Sequence, residues 1–578
     1  MVSLNPTSFY PPTWPVNPFH VGEVQVQKKL GVESHVMSYA PKVVRPYMPD
    51  QHRDFLSSQP FLVVAARDDR GRLWSTLLFA SDPNNVTSFV TTPDPTSLSI
   101  DSRPLPGDAL EGALQAGSDL GILGIEFAAR RRNRVNGRLV ASSSEALRFK
   151  VDQGFGNCPQ YIKPRDWWTT STDSQANTHG SIDDSAPSSV QRSTELSKDQ
   201  IVHIQQAETI FLATGYRGEG EDPRFGNDAS HRGGAVGFLR VDEGFNKLYL
   251  PDYSGNNHYN TLGNVIMDSR MGITIPLYET GGMIQLTGTA IVDWDEEAAA
   301  AKFIGAKRVI EFTIDEVVEL PAGSMPIRWT SENNRIQVQV AEKIYESEDV
   351  ASFYLSPIQG DAPSLPSFEP GQHLPIELPT SPNEAIVRTY SLSASSINNE
   401  YYRISVKKHS FGLASRFLHD QVQVGDVLTI QKPAGHFTYD HSSERTTLVL
   451  LSSGIGITPV LSMLHNFVED SKSSNKKKAF WIHGARDGKH HPFQSEVETL
   501  KKLAGDRLET QIAYSKPNEM DSGYDSEGRI TVEILHDLVK DLSNADMYMC
   551  GSLGFMADME SGLESLGVDS KQIHFESF

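Results

Sequence analysis

The chain changes its hydrophobic rhythm twice. Up to about residue 325, short apolar runs such as Phe61-Leu62-Val63-Val64-Ala65 and Phe211-Leu212-Ala213-Thr214-Gly215 are separated by polar, glycine-containing turns and brief helical patterns, which predicts small β units. After a Pro/Gly-rich joint at Pro321 to Pro326, polar and apolar residues alternate along Asn334-Arg335-Ile336-Gln337-Val338-Gln339-Val340, the pattern of a half-buried barrel strand. From Thr446 the strands turn wholly apolar, as in Thr447-Leu448-Val449-Leu450-Leu451. Amphipathic segments such as Val460 to Val468 lie between them, which predicts an α/β domain with a parallel sheet.

The first region repeats itself. Phe61 to Ala65 recurs at Phe211 to Gly215, an offset of 150, while Gly121-Ile122 and Gly137 recur at Gly272-Ile273 and Gly288, an offset of 151. Two similar β units in tandem, paired as a pseudo-dimer, is the natural reading. Between them Thr169 to Lys198, rich in Ser, Thr, Asp, Asn and Gln, has too few apolar residues to pack and reads as an exposed linker. The plan is an N-terminal extension (1–47), two half-units (48–168 and 199–325) around that flexible linker (169–198), an antiparallel β-barrel (328–441) and an α/β domain (442–578).

Composition narrows the function classes. The 52 Lys and Arg against 73 Asp and Glu leave a formal charge of -21, which argues against nucleic acid or an anionic membrane as partner. With no apolar run long enough to cross a bilayer and no signal-like N-terminus, a cytoplasmic location is expected. Cys158 and Cys550 are too few for a disulfide framework or an iron–sulfur cluster, so electron chemistry has to run through organic cofactors or a metal held by other ligands. No metal site is assigned.

The motifs that carry chemistry cluster in the last two regions. Arg388-Thr389-Tyr390-Ser391 puts a guanidinium, an aromatic and a hydroxyl on one strand, suited to the pyrophosphate, ring face and polar ring edge of a flavin dinucleotide. Val406-Lys407-Lys408 follows, and then Gly412-Leu413-Ala414-Ser415-Arg416-Phe417-Leu418, which reads as a helix start whose amides would receive a diphosphate. The alternative makes Tyr390 a barrel core residue and Arg388 a surface charge. Ser453-Gly454-Ile455-Gly456-Ile457-Thr458-Pro459 joins a strand to a helix; its glycines admit phosphates, and Pro459 suits a first helical position. Pro stands where a dinucleotide fingerprint has its third Gly. Cys550-Gly551-Ser552 closes the strand Asp546-Met547-Tyr548-Met549 at the carboxyl edge where open α/β sheets bind ligands, with a buried thiol beside a tight turn as the alternative.

In this order, Pro370-Gly371-Gln372-His373, Arg388-Thr389-Tyr390-Ser391, Gly412-Leu413-Ala414-Ser415, the Gly454 to Pro459 loop, His483-Gly484-Ala485-Arg486 and Cys550-Gly551-Ser552 resemble the ferredoxin-NADP reductase superfamily. With the ending His574-Phe575-Glu576-Ser577-Phe578 they look most like the reductase half of flavohaemoglobins and of oxygenase reductases, over roughly 330 to 578. The resemblance implies that Arg388, Thr389, Tyr390, Ser391 and Lys407 hold FAD and that Gly412, Leu413, Ala414 and Ser415 meet its pyrophosphate. It implies further that Gly454, Gly456 and Thr458 hold NAD(P)H, with Arg486 and Gly551 beside it. Ser391 and Cys550 are the catalytic candidates near the reacting rings, and Phe575 or Phe578 would cover the flavin. Arg486 and Lys516 could meet a 2'-phosphate, which leaves NADH against NADPH open.

Residues 48 to 293 are similar to pyridoxamine 5'-phosphate oxidase-like, FMN-binding split barrels fused to ferredoxin reductase modules. The likeness lies in Gly121 to Glu126, Arg130 to Arg138, Gly156-Asn157-Cys158-Pro159-Gln160-Tyr161 and Ser230-His231-Arg232-Gly233-Gly234. It implies FMN, whose phosphate would meet Arg232, Ser254, Asn257 and Asn260. The turn Asp252 to Asn260 carries Asn where that family has Arg or Lys, so Arg232 or the Arg130 to Arg138 cluster has to supply the charge. The alternative for the cluster is a solvated strand, and His231 reads as a structural histidine rather than a haem or metal ligand.

The expected fold is multidomain: a tandem split β-barrel, an antiparallel FAD-binding β-barrel and a Rossmann-like NAD(P)-binding domain. The expected function is an NAD(P)H-dependent flavin oxidoreductase passing hydride to FAD, then electrons to FMN or a small-molecule substrate in the split barrel. Two other readings stay open. One is a reductase component serving a separate oxygenase or cytochrome; the other is a ligand- or haem-binding sensor with an attached reductase. A homodimer through the split barrel is open as well.

Overall fold

The structure is a computed structural model that describes residues 17–80, 89–144, 146–157, 160–169, 189–330, 335–358, 365–381, 384–397, 400–410, 412–469 and 477–577. Cys158, Phe578 and most of the expected linker lie outside the described residues. The chain divides into two units, Met1–Glu332 and Asn333–Phe578.

The N-terminal unit is built on two large antiparallel sheets. The first contains β1 (Phe61–Arg67), β2 (Leu73–Phe79), β3 (Val90–Asp94), β4 (Ser97–Ile100), β5 (Asp119–Glu126), β6 (Arg131–Ser142) and β7 (Leu147–Asn157), in the order β2-β1-β5-β6-β7-β4-β3. The second contains β8 (Thr209–Tyr216), β9 (Gly226–Gly233), β10 (Arg240–Val241), β11 (Lys247–Asp252), β12 (Arg270–Leu277), β13 (Gly282–Asp293) and β14 (Arg308–Leu320), in the order β9-β8-β12-β13-β14-β11-β10. The strand order is the same in both.

The repeated glycines lie where the two sheets press together. A Cβ on Gly121 of β5 would stand 2.5 Å from the Ala229 nitrogen of β9, and a Cβ on Gly272 of β12 would stand 2.6 Å from Trp74 Cα of β2. Each half thus lays its glycine strand on the other half's edge strand, as in a twofold contact. Register corrects the sequence alignment at one strand. Ala65 pairs with Gly121 and Ala213 with Gly272, so β1 and β8 correspond at an offset of 148 (213 − 65) rather than 150. Phe211 is therefore not the counterpart of Phe61 but its partner across the seam, the ring centroids 6.4 Å apart.

Both ends of the expected linker are ordered. Asp166–Thr169 pairs with Ile327–Thr330, Gln191–Ser193 pairs with β14, and a helix starts at Lys198 capped by Ser197. Pairing of Ile327–Thr330 also carries the first unit past the Pro321 to Pro326 joint. The N-terminal extension contains α1 (Val21–Lys29), which crosses α2 (Asn260–Met267) so closely that a Cβ on Gly22 would fall 2.2 Å from the Gly263 oxygen.

The C-terminal unit opens with β15 (Ile336–Tyr345), β16 (Val350–Pro357), β17 (His373–Ser381), β18 (Glu384–Ser391), β19 (Tyr402–Lys407) and β20 (Val427–Ile430), ordered β18-β17-β20-β15-β16-β19. A bridge from Leu392 to Ile404 closes this sheet into a barrel around Val338, Phe353, Leu374, Ile376 and Ile404. A parallel sheet follows, with β21 (Thr447–Ser453), β22 (Lys478–Ala485), β23 (Leu508–Tyr514), β24 (Ser526–Glu527), β25 (Ala545–Gly551) and β26 (Ile573–Ser577) in the order β24-β23-β22-β21-β25-β26. Of the helices between them, α4 (Ile457–Glu469) follows β21, α5 (Gln494–Ala504) follows β22 and α6 (Leu553–Ser565) follows β25; α3 (Leu413–Asp420) belongs to the barrel. Barrel and parallel sheet are joined by a bidentate pair. Arg403 of β19 donates to both Glu496 oxygens of α5 at 2.8 and 2.9 Å, and His465 of α4 shares that carboxylate at 2.5 Å.

Candidate functional sites

In the C-terminal unit the barrel's strand ends meet the carboxyl edge of the parallel sheet. Ser391 closes β18 opposite His373 of β17, and His373 Nδ1 lies 3.8 Å from Glu576 Oε1. Glu576 pairs along β26 with Cys550, and Cys550 pairs with Ser452 at the end of β21. Ser391 Oγ, His373 Nε2 and Glu576 Oε2 are buried without a hydrogen-bond partner. Buried polar atoms are rarely left so, and three along one seam point to a polar ligand edge. Beside them, Gly454 to Gly456 form a short 3-10 turn into α4. Gly454 has φ 58° with open space around it, whereas a Cβ on Gly456 would lie 2.2 Å from the Cys550 oxygen. The first glycine admits a ligand, and the second lets the loop rest on the Cys550 peptide.

In the N-terminal unit a cleft of about 110 Å³ lies between the halves, and Arg232, Ser254, Asn257 and Asn260 all line it. Arg132 and Arg134 of β6, His231 of β9 and Asp252 of β11 complete its polar wall. Arg134 is held at 2.8 Å from Asp228, 3.1 Å from Asn260 Oδ1 and 2.9 Å from Ser230 Oγ. Arg232 and Arg308 divide the Asp252 carboxylate, each at 2.9 Å. Asn257 and Tyr259 have φ of 63° and 61°, uncommon for residues other than glycine and typical of functional turns. Behind the cleft Glu23 of α1 accepts hydrogen bonds from Asn260 and from the His20 amide, and burial pushes its carboxyl up to about 8.

Residues 337–439 match the oxidoreductase FAD-binding domain family and residues 450–561 the oxidoreductase NAD-binding domain family. The C-terminal unit is a ferredoxin-NADP reductase-type FAD/NAD module. The chain is 39% identical over 243 residues to a flavohemoprotein of Bacillus subtilis, covering 41% of this chain and 58% of that one. It is also 39% identical over 240 residues to a flavohemoprotein of Pseudomonas aeruginosa, covering 42% and 58%. The chain therefore spans under two thirds of the length of these curated relatives. A crystal structure of the flavohem-like FAD/NAD binding domain of nitric oxide dioxygenase from Vibrio cholerae O1 biovar El Tor aligns at 33% identity and TM-score 0.38, covering 42% of this chain and 98% of that one.

Within this module the residues singled out from the sequence fall into four groups. Ser391, Gly454, Gly456, Thr458 and Gly551 gather at the seam, where Thr458 Oγ1 donates to the Ile455 oxygen at 3.0 Å and Gly551 lies against Phe555 and Ser453. Arg388, Thr389 and Tyr390 are half-buried on β18. Arg388 donates to the Val387 oxygen, and Tyr390 packs on the barrel core, where burial raises its phenol to about 12. Gly412 caps α3, but Ala414 belongs to the barrel core and the Ser415 hydroxyl accepts from the His409 amide, so these two serve the loop itself. Leu413 and Arg486 are exposed, and Lys407 pairs with Asp349 at 3.2 Å.

Two sequence readings change. Phe575 does not face the seam: it packs with Met547 and Met556 on the far side of the sheet, because alternation along β26 sends Glu576 the other way. Glu576 and His373 were thus missed as site residues, although the register of β26 against Cys550 carries the signal. Cys550 is wholly buried at the seam, and burial together with Glu576 drives its thiol well above the usual range, which favours the alternative of a buried thiol beside a tight turn. His231 Nδ1 accepts from Arg132 at 2.9 Å, and no cluster of metal-ligating side chains occurs among the described residues.

Proposed function

We propose that the chain is an NAD(P)H-dependent flavoprotein oxidoreductase whose hydride transfer takes place at the seam of Ser391, His373, Glu576 and Gly456. FAD supplies the redox chemistry when bound; the protein supplies position and polarity. Ser391 Oγ is the orphaned donor for a polar ring edge, Tyr390 offers a half-buried aromatic face, and Arg388 stands on the same strand for a phosphate. Gly454 leaves room for the second nucleotide's phosphates at the start of α4. The observation that carries the reading is the buried line from Ser391 to Glu576 between barrel and sheet edge.

The two like-ordered sheets are read as a tandem split barrel and the cleft as an FMN site that takes electrons onward; the four predicted residues on one wall support this. Flavin released from the purified chain and anaerobic titration with NADH and NADPH test both parts. FAD with FMN, both bleached by a nicotinamide nucleotide, is the expected result. FAD alone would turn the cleft into a substrate or partner site, and absence of FAD would sink the reductase reading.

A further inference from the structure

The twofold relation between the halves predicts a second cleft, and its position can be located residue by residue. With Gly121 matched to Gly272, β-register places Met283 and Gln285 where the first half has Arg132 and Arg134. With Ala65 matched to Ala213, Thr76, Leu77 and Leu78 take the places of Ser230, His231 and Arg232. Asn260, bonded to Arg134, has its counterpart in Asp108, bonded to Gln285 at 3.1 Å.

This second position is closed. Leu77, Leu78 and Met283 are fully buried there. The Asp108 carboxylate takes the donors itself, from Thr76, from Gln285 and from the Leu110 amide at 2.8 Å. At the open position the donors are left over. Arg132 can only donate, so His231 Nδ1 is the acceptor and the ring's proton sits on Nε2, which is buried without a partner. Asn157 Nδ2 and Arg134 Nε are buried and unpartnered as well, and all three residues line the cleft. Arg134 and Arg232, paired with Asp228 and Asp252, line the cleft beside Arg132. The first turn of α2 lines the same cleft with no side-chain cap.

We infer that the N-terminal unit binds one phosphate-bearing ligand per chain, with its dianion among Arg132, Arg134, His231 and Arg232, and that the twofold-related position holds none. The identity of that ligand as FMN rests on the split-barrel reading; the single anion site does not. Calorimetric titration of the full chain, its FAD site saturated, with FMN and separately with inorganic phosphate tests the inference. One FMN per chain, competed by phosphate, is expected. Arg232→Gln should weaken FMN at least tenfold, whereas Asp108→Asn, at the closed position, should leave stoichiometry and affinity unchanged, both variants melting cooperatively. Two FMN per chain, undiminished binding to Arg232→Gln, or no binding of either probe would overturn it. FMN bound once but never bleached by NADH or NADPH would sink the electron-transfer reading and leave this inference standing.

Discussion

In the N-terminal unit like meets like, and backbone touches backbone: Gly121 and Gly272 each lie on the other half's edge strand with no room for a methyl group. In the C-terminal unit unlike surfaces meet, a barrel and a parallel sheet, and the tie is a charged one, Arg403 with Glu496 and His465. Each candidate site lies beside its seam. Where the contact is made of glycine, ligand chemistry has to come from side chains that diverged between the halves. Where it is made of long polar side chains, the loops can bring their own backbone to the ligand.

Breaking the charged seam has the largest expected effect. Glu496→Leu leaves Arg403 buried without its partner and should cost the C-terminal unit about 3 kcal/mol in urea unfolding. Burial works against the Glu496 carboxylate, yet hydrogen bonds from His465 and Arg403 hold it at about 2. Its contribution is therefore complete above the ordinary carboxylate value near 4.5 and is lost as pH falls through about 2. A wild-type-like midpoint in Glu496→Leu at pH 7 would show that the seam does not depend on this pair. Next in size, Gly121→Ala forces a methyl group onto Ala229 and should cost the N-terminal unit about 2 kcal/mol, measured as a lower melting temperature, with FAD reduction unaffected. Loss of reduction together with that melting shift would mean that the two units are not independent.

The third prediction concerns chemistry rather than stability. Ser391→Ala should retain FAD but slow its reduction by about tenfold in stopped flow, since one hydrogen-bond donor is removed from the reacting edge. An unchanged rate would remove Ser391 from the site. A pH-dependent effect is expected at Glu23, which burial pushes up to about 8. The unfolded chain ionises near 4.5 while the folded one stays protonated, so stability declines as pH rises from about 4.5 to about 8 and then levels off. Glu23→Gln should flatten that part of the melting-temperature profile, and a parallel profile would contradict it.

The two sites differ in how far the sequence reveals them, for a physical reason. Nucleotide loops use glycines and capping residues that are neighbours in the chain, so Gly454-Ile455-Gly456 and Gly412 could be read directly, and the strands and helices around them lie where the apolar pattern put them. The cleft is assembled from Arg132 and Arg134 in one half and His231 and Arg232 in the other, about a hundred residues apart, and sequence indicates only a run of arginines. Phe575 was misread because a terminal aromatic is conspicuous, whereas the alternation that turns Glu576 inward becomes evident only from its register with Cys550. The repeat was legible at its glycines, where packing forbids change, and was misaligned by two residues at Phe61, where any large apolar side chain serves.

The joining of two like halves in one chain also has a genetic consequence. In a dimer of identical chains every mutation is written twice, so a residue that fills one pocket fills its mate. Here Leu78 and Arg232 occupy matched positions under separate codons. A substitution that fills one pocket therefore leaves the cations of the other in place.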